Sequence, residues 1–324
     1  PFSRQNMSAF PTLKLQNGVE MPVIGLGTWQ STDDDVRKAV EVAVAEAKYP
    51  LIDTAEIYQN EEVIGDILHK LISEGKIKRD DVFITTKLWT HNLNPARSLA
   101  AAKECLKRLQ LEKVDLLLCH MPVAFDEAGT EQEKDVTVED VWRGLEAIYD
   151  AGLARAIGVS NWSAEQVERV MKTAKVPIHN VQNELYLYWP QHELAEVCKK
   201  HGISITSYGS LGSPGRVNFT LPTGQKLDWA AAPNALDDPK VKELAEKYKK
   251  SPAQILLRYV IERGIAVIPK SVTPSRIHEN LKVFDFKLTE EEVKALDSAS
   301  HRQRLFLQPF MEGHPEDPFK SERV

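Results

Sequence analysis

Residues 82–120, VFITTKLWTHNLNPARSLAAAKECLKRLQLEKVDLLLCH, decide the fold. The runs VFITTK at 82–87 and VDLLLCH at 114–120 are short and mostly apolar, the pattern of strands buried on both faces. Between them Pro95 to Leu109 repeats apolar residues at the helical period, behind Asn94, a residue suited to an N-cap. Strand, helix, strand is the unit of a parallel sheet, because parallel neighbours need a crossover long enough to hold a helix.

The unit recurs in both directions. VIGLGT at 23–28 and LID at 51–53 precede it, and ARAIGVSN at 154–161, IHNVQNE at 178–184, ISITSYG at 203–209 and IAVIPKS at 265–271 follow. Amphipathic stretches separate them, such as Asp33 to Ala47, Asn60 to Ser73, Val138 to Asp150 and Ala164 to Thr173, with Asp33 and Ser163 as further N-caps. Eight strand–helix repeats without a block of one element alone predict an α/β protein whose sheet closes into a (β/α)8 TIM barrel. Ahead of it, Thr12 to Leu15 and Val19 to Val23 flank Asn17-Gly18, which predicts an N-terminal β-hairpin with positive φ at the tight turn.

Length alone suggests about two domains, yet 1–324 fits one barrel domain with insertions. Leu211 to Pro239, rich in Gly, Pro and Asn, reads as a long loop over one barrel end. The tail, 301–324, carries Pro309, Pro315 and Pro318 and cannot be a regular helix; it is expected to fold back over the C-terminal face or stay loose, with Leu305, Phe306 and Phe310 as anchors. Residues Pro1 to Asn6 read as a foreign or disordered end.

A hydrophobic fraction of 42% and a charged fraction of 27% suit a globular chain with a sizeable core. The net charge of -6 argues against a nucleic-acid partner, which requires an excess of Lys and Arg. Cys105, Cys119 and Cys198 are odd in number and far apart, so neither a disulfide framework nor a zinc motif is expected, and a cytoplasmic location is. No apolar run reaches the roughly 20 residues of a membrane span.

Several apolar runs finish in residues capable of chemistry: Asp53, Lys87, His120, Asn161, Gln182, Tyr208 and Lys270. In a (β/α)8 barrel the C-terminal strand ends meet at one rim, so these positions converge on a single pocket. Ordinary strand-end polarity accounts for any one of them, but poorly for the whole series. LIDTAEIYQNE, ITTKLW, DLLLCHMP, GVSNW, VQNE and IPKSVTPSRIHEN stand in the order and at the spacing of a known family. Over nearly its whole length the sequence resembles the aldo-keto reductases.

The resemblance implies NADPH-dependent reduction of a small-molecule carbonyl substrate, with Asp53, Tyr58, Lys87 and His120 as the catalytic set. Carbonyl reduction needs a hydride on carbon and a proton for the developing alkoxide. Tyr58 is expected to supply the proton, Lys87 to stabilise the phenolate, and Asp53 to hold the ammonium. A neutral His120 orients the carbonyl oxygen, while a protonated one is an acid at lower pH. The structural alternative is a core ion pair beside a packed aromatic and a satisfied histidine.

For the cofactor, GLGTW at 25–29 lacks the third glycine and the following helix of a dinucleotide fingerprint, which disfavours a Rossmann domain. By resemblance, Ser160, Asn161 and Gln182 bond the nicotinamide carboxamide and Tyr208 stacks beneath the ring, with Thr28, Trp29, Asp53, Ser210 and Leu211 as further contacts. The segment Lys270, Ser271, Val272, Thr273, Arg276, Glu279 and Asn280 matches the family's site for the adenosine 2′-phosphate, and its cations and helix-start amides suit a dianion. NADPH/NADP+ is therefore expected over NADH; a solvated helix start with incidental charges is the alternative.

Trp29 and Trp89 are expected to wall the substrate pocket with Tyr58 and His120, or to plug the barrel mouth. Many family members have an aromatic after the tetrad histidine; here it is Met121, also assigned to the pocket. By resemblance, the acidic segment from Val123 to Val136, which is expected to be mobile, and the tail around Leu305 to Phe310 complete the pocket. No HExxH or HxH is present, so a metal hydrolase is disfavoured and no metal is assigned. A monomer is expected. The alternative from another class is a non-catalytic NADPH-binding structural or regulatory protein on the same fold.

Overall fold

The computed structural model describes residues 10–218 and 229–323. Pro1 to Asn6 and the middle of the long loop lie outside the described residues.

Strand β1 (Thr12–Lys14) pairs antiparallel with β2 (Glu20–Pro22), giving the expected hairpin. Its turn differs from the one read from Asn17-Gly18. Gly18 N–H donates to the Leu15 carbonyl at 2.9 Å, and Gly18 alone in the turn takes a positive φ, +84°. The turn therefore spans Leu15 to Gly18, with glycine absorbing the single left-handed residue. Leu15 and Met21 pack on Leu51, Phe83, Leu116 and Ala266, so the hairpin plugs the end of the barrel where the strands begin.

Eight strands follow: β3 (Leu26–Gly27), β4 (Leu51–Asp53), β5 (Phe83–Leu88), β6 (Val114–Cys119), β7 (Ala154–Ser160), β8 (Asn180–Glu184), β9 (Ser204–Tyr208) and β10 (Ala266–Val267). Each is parallel to the next in sequence order. The ring closes where parallel bridges join Ile24 to Val267 and Gly27 to Lys270. A Cβ on Gly27 would lie 2.7 Å from the Ile268 carbonyl oxygen, so only glycine lets the seam approach this closely.

The helices fall as the periodicity requires: α1 (Asp33–Glu41), α2 (Glu61–Ser73), α3 (Pro95–Leu109), α4 (Val138–Asp150), α5 (Ala164–Met171), α6 (His192–Lys200), α7 (Pro239–Tyr248), α8 (Pro252–Glu262), α9 (Pro274–Leu281) and α10 (Glu290–Asp297). Asn94 caps α3 through the Ala96 amide, and Ser163 caps α5 in a reciprocal box with Gln166. For α1 the cap is Thr32, whose hydroxyl accepts from the Asp35 amide. Asp33, expected as the cap, is the first helical residue, where its carboxylate favours the helix dipole instead. After Glu41 the helix relaxes into one π-helical turn, Val42–Glu46, and Tyr49 just beyond it donates to the Ile277 carbonyl of α9 at 2.8 Å.

The main core lies between strands and helices. On β6, Leu117 and Cys119 join this layer while Leu116 and Leu118 pack with Leu51 and Phe83 inside the ring, the alternation a barrel strand imposes. The tail crosses the C-terminal face. Leu305 and Phe306 are buried anchors as expected, Phe310 is half-buried, and Met311 and Phe319 add two anchors the sequence reading did not name. The segment from Val123 to Val136, expected to be mobile, is tied down: Phe125 bridges Gln132, Asp126 accepts the Thr130 and Glu131 amides, and Arg97 binds both Phe125 O and Glu133.

Candidate active site

The strand ends bring the four tetrad candidates together. Lys87, on β5, has no exposed surface, and an ammonium so buried persists only with partners. Its Nζ donates to Asp53 Oδ1 at 2.6 Å and to the Thr54 carbonyl at 2.9 Å. The same ammonium lies 5.1 Å from the centre of the Tyr58 ring, and that ring meets His120 edge-on at 5.5 Å. Tyr58 stands on a short 3-10 turn, Glu56–Tyr58, rather than on a strand, which is how a residue five beyond Asp53 reaches the same pocket.

The electrostatics separate these groups. Burial lowers the Lys87 pKa, and the Asp53 charge opposes that shift. Tyr58 is held well above the ordinary phenol value by burial first and then by the Asp53 and Tyr208 charges. His120 is held well below the ordinary imidazole value by burial and by Lys87, so it is neutral. Its Nδ1 is buried without a hydrogen-bond partner among the described residues.

A second chain of bonds runs along the rim. Gln182 Nε2 donates to Asp53 Oδ2 at 2.8 Å. Asn161 Nδ2 donates to the His120 carbonyl at 2.9 Å and to Ser160 Oγ at 3.2 Å, and the Tyr208 hydroxyl donates to Asn161 Oδ1 at 2.5 Å. Asn161 does this from a left-handed conformation, φ +61°, which asparagine tolerates better than most residues. Thr28 is buried and donates to the Asp53 carbonyl at 2.9 Å. Ser210 is buried against Ser207, and Leu211 is half-buried.

Aromatic side chains wall the mouth. Trp89 meets His120 edge-on at 5.1 Å and Phe310 at 5.5 Å; Trp29 meets Phe306 at 5.6 Å and Trp229 at 6.0 Å. Met121 is placed differently. At 2% exposure it lies beneath the tail, in a cluster with Val123, Phe125, Met311 and Phe319.

The remaining cofactor candidates line the start of α9, beside the seam. Lys270 and Arg276 are exposed; Lys270 Nζ donates to the Gln30 carbonyl at 3.0 Å, while Arg276 forms no hydrogen bond or ion pair among the described residues. Ser271 Oγ accepts the Thr273 amide, Val272 is half-buried, and Thr273 offers α9 no side-chain cap. Two cations, hydroxyls and uncapped amides are the chemistry a phosphate dianion requires, so this donor set fits the adenosine 2′-phosphate. Asn280 is buried, and the Glu279 carboxylate accepts the Ser251 hydroxyl at 2.6 Å.

Supporting residues went unread in the sequence. Asn60 accepts from Thr54 and donates to the Thr28 carbonyl, tying two strand ends together. Glu61, buried, accepts from Thr86 and pairs with Arg108. Glu56 accepts the Trp89 amide and the Asn92 side chain, fixing the turn of Tyr58 to the loop of Trp89. Glu56, Asn60 and Glu61 all stand within the motif LIDTAEIYQNE, but nothing in local pattern marked the bonds they make.

Comparison with known proteins agrees with this geometry. The family model described as "Aldo/keto reductase family" matches residues 23–301. Aldo-keto reductase family 1 member A1 of Gallus gallus is 40% identical, over 94% of this chain and 96% of its own. An aldose reductase structure from Schistosoma japonicum superposes with a TM-score of 0.85 at 37% identity, covering 96% of this chain and 99% of that one. A Bombyx mori aldo-keto reductase, in complex with NADP, superposes with a TM-score of 0.85 at 35% identity, covering 95% and 99%. With the closed barrel, the clustered phenol, ammonium, carboxylate and imidazole, and these matches over almost its full length, the chain belongs to the aldo/keto reductase family.

Proposed function

We propose that the tetrad carries out this chain's NADPH-dependent reduction of aldehydes and ketones to alcohols, with Tyr58 as the proton donor. The observation that supports the roles is the packing of Tyr58 against both the Lys87 ammonium and the neutral His120 ring, in a pocket walled by tryptophans. When bound, the nicotinamide supplies the hydride to the carbonyl carbon. Tyr58 gives its proton to the oxygen as negative charge develops there, His120 orients that oxygen by a hydrogen bond, and Lys87 receives the phenolate left behind. Asp53 keeps Lys87 aimed at the phenol and Gln182 keeps Asp53 in place.

Asn161, Ser160 and Gln182 hold the carboxamide, Tyr208 lies under the ring, and Lys270 and Arg276 hold the 2′-phosphate. Trp29 and Trp89 flank the substrate, with Met121 acting through the tail it supports. The cytoplasm is the compartment we assign: the three cysteines are buried free thiols, as a reducing compartment maintains. No helix among the described residues is long and apolar enough to cross a membrane. A monomer fits a sheet whose ring leaves no unpaired edge.

Tyr58→Phe tests the assignment. NADPH binding by fluorescence titration stays within about twofold, while aldehyde-dependent NADPH oxidation falls by at least about 100-fold, the usual worth of a positioned proton donor. Near-normal turnover in the variant contradicts the role of Tyr58, and tight NADPH binding by the parent with no turnover on any aldehyde or ketone favours a non-catalytic protein.

A further inference from the structure

We infer that Glu184 is a positioning residue that sets where the C-terminal tail sits over the substrate pocket. This rests on the carbonyl-reductase reading above. Glu184 closes β8 two residues past Gln182 and has no exposed surface. Its two oxygens accept two consecutive tail amides: Oε1 that of Leu305 at 2.6 Å, and Oε2 that of Phe306 at 3.0 Å. Two adjacent N–H groups held by one rigid carboxylate leave the backbone little freedom, so they fix where the Phe306 side chain points.

That side chain is part of the pocket mouth. Phe306 meets Trp229 at 5.4 Å, Trp29 at 5.6 Å and Tyr208 at 5.8 Å, so a shift of its backbone moves one side of the aromatic wall. The chain just before is anchored to the same barrel segment: Gln303 N–H donates to the Tyr188 carbonyl at 3.0 Å, and the Tyr186 hydroxyl donates to the Gln303 carbonyl at 2.9 Å. Arg304 supplies the opposing charge. Its guanidinium pairs with Glu322 and lies 4.8 Å from the Trp189 ring and 4.0 Å from the Phe319 ring. It makes no hydrogen bond to Glu184, which leaves the carboxylate free to hold the two amides.

The clamp responds to protons. The ionisable groups facing Glu184 are Arg304 and Glu322 of the tail, Tyr186 beyond β8 and Tyr208 of β9. Burial dominates, and Arg304 and the two amides only partly offset it, so the Glu184 carboxyl is pushed up to about 7. Opening the tail would hydrate Glu184 and return it to the ordinary carboxylate range. The closed tail therefore binds the proton more tightly, and losing it as pH rises through about 7 favours opening.

The test uses the full chain with NADPH and para-nitrobenzaldehyde. Glu184→Ala raises KM for the aldehyde at least about tenfold, with kcat within about threefold and NADPH affinity within about twofold, because the wall moves and the chemistry does not. Glu184→Gln keeps the volume and removes the titrating proton, but its Nε2 cannot accept one of the two tail amides that Glu184 holds. Its KM at about pH 6.5 rises less than in Glu184→Ala, and it loses the rise in KM that the parent shows toward about pH 8.5. An unchanged KM in Glu184→Ala, or a parental pH profile in Glu184→Gln, overturns the inference; should the alanine variant not fold, the glutamine variant decides. Hydrogen exchange of the 303–310 backbone in unliganded protein provides a readout independent of turnover. Glu184→Ala, or failing that Glu184→Gln, speeds exchange at Leu305 or Phe306 at least about threefold, and unchanged exchange in a folded variant overturns the inference even if the parent proves inactive.

Discussion

Lys87 and Asp53 show how one residue's environment sets another's chemistry. A carboxylate at 2.6 Å keeps an unexposed ammonium in place, and the charge of that carboxylate adds to burial in holding the Tyr58 phenol above its ordinary value. The phenol therefore keeps its proton near neutrality, the state that the proposed donor role needs. His120 likewise enters neutral, since burial and the neighbouring ammonium oppose its protonation. The sign follows: a histidine pKa depressed below the ordinary value gives no titration near neutrality, and a raised phenol gives none either. Single-turnover hydride transfer at saturating aldehyde is accordingly flat between about pH 6 and pH 8, measured by stopped-flow NADPH absorbance. A limb bending at the ordinary imidazole value would mean that His120 acts as the acid.

At the scale of elements, the seam between β3 and β10 is the most exacting contact. β10 is two residues long and β3 also two, so closure depends on the bridges at Ile24 and Gly27. Gly27→Ala puts a methyl 2.7 Å from the Ile268 carbonyl. Backbone on backbone has no soft side chain to yield, so the seam widens; overpacking of this kind costs about 1–3 kcal/mol, read as a lower urea midpoint. A variant as stable as the parent would show that the seam bends freely. The seam also carries Lys270 and follows directly into α9, so the same substitution disturbs the cofactor-binding end first. Helix and strand identities were legible because periodicity is local, and Asn94 and Ser163 cap as read. Thr32 replaced Asp33 because a run of three aspartates offers several plausible first residues, and only the backbone geometry selects the cap.

For the molecule as a whole, the net charge of -6 repels an anionic cofactor, so local cations must overcome it. Arg276 is exposed and without a protein partner among the described residues, whereas most surface arginines here, Arg79, Arg97 and Arg169 among them, are already paired. An unpaired guanidinium beside the uncapped start of α9 is available to a dianion. Arg276→Ala weakens NADPH at least about tenfold, roughly 1.4 kcal/mol, and leaves NADH within about twofold, as judged by fluorescence titration of both. Equal losses for the two cofactors would mean that Arg276 does not read the phosphate.

The amino-acid order by itself determined the eight repeats, the hairpin and the family, and it named the tetrad candidates, because each is written in local period, in strand-end chemistry or in motifs at characteristic spacing. What only the tertiary structure decided depends on partners distant in the chain. Glu184 meets amides 121 and 122 residues later, Glu56 reaches the Trp89 amide across 33, and Met121 disappears under a tail whose path no pattern reveals. Hydrogen-bond partners and charge states follow from which groups burial brings together. A one-dimensional pattern names the groups, while folding sets the desolvation and distances that decide what they do.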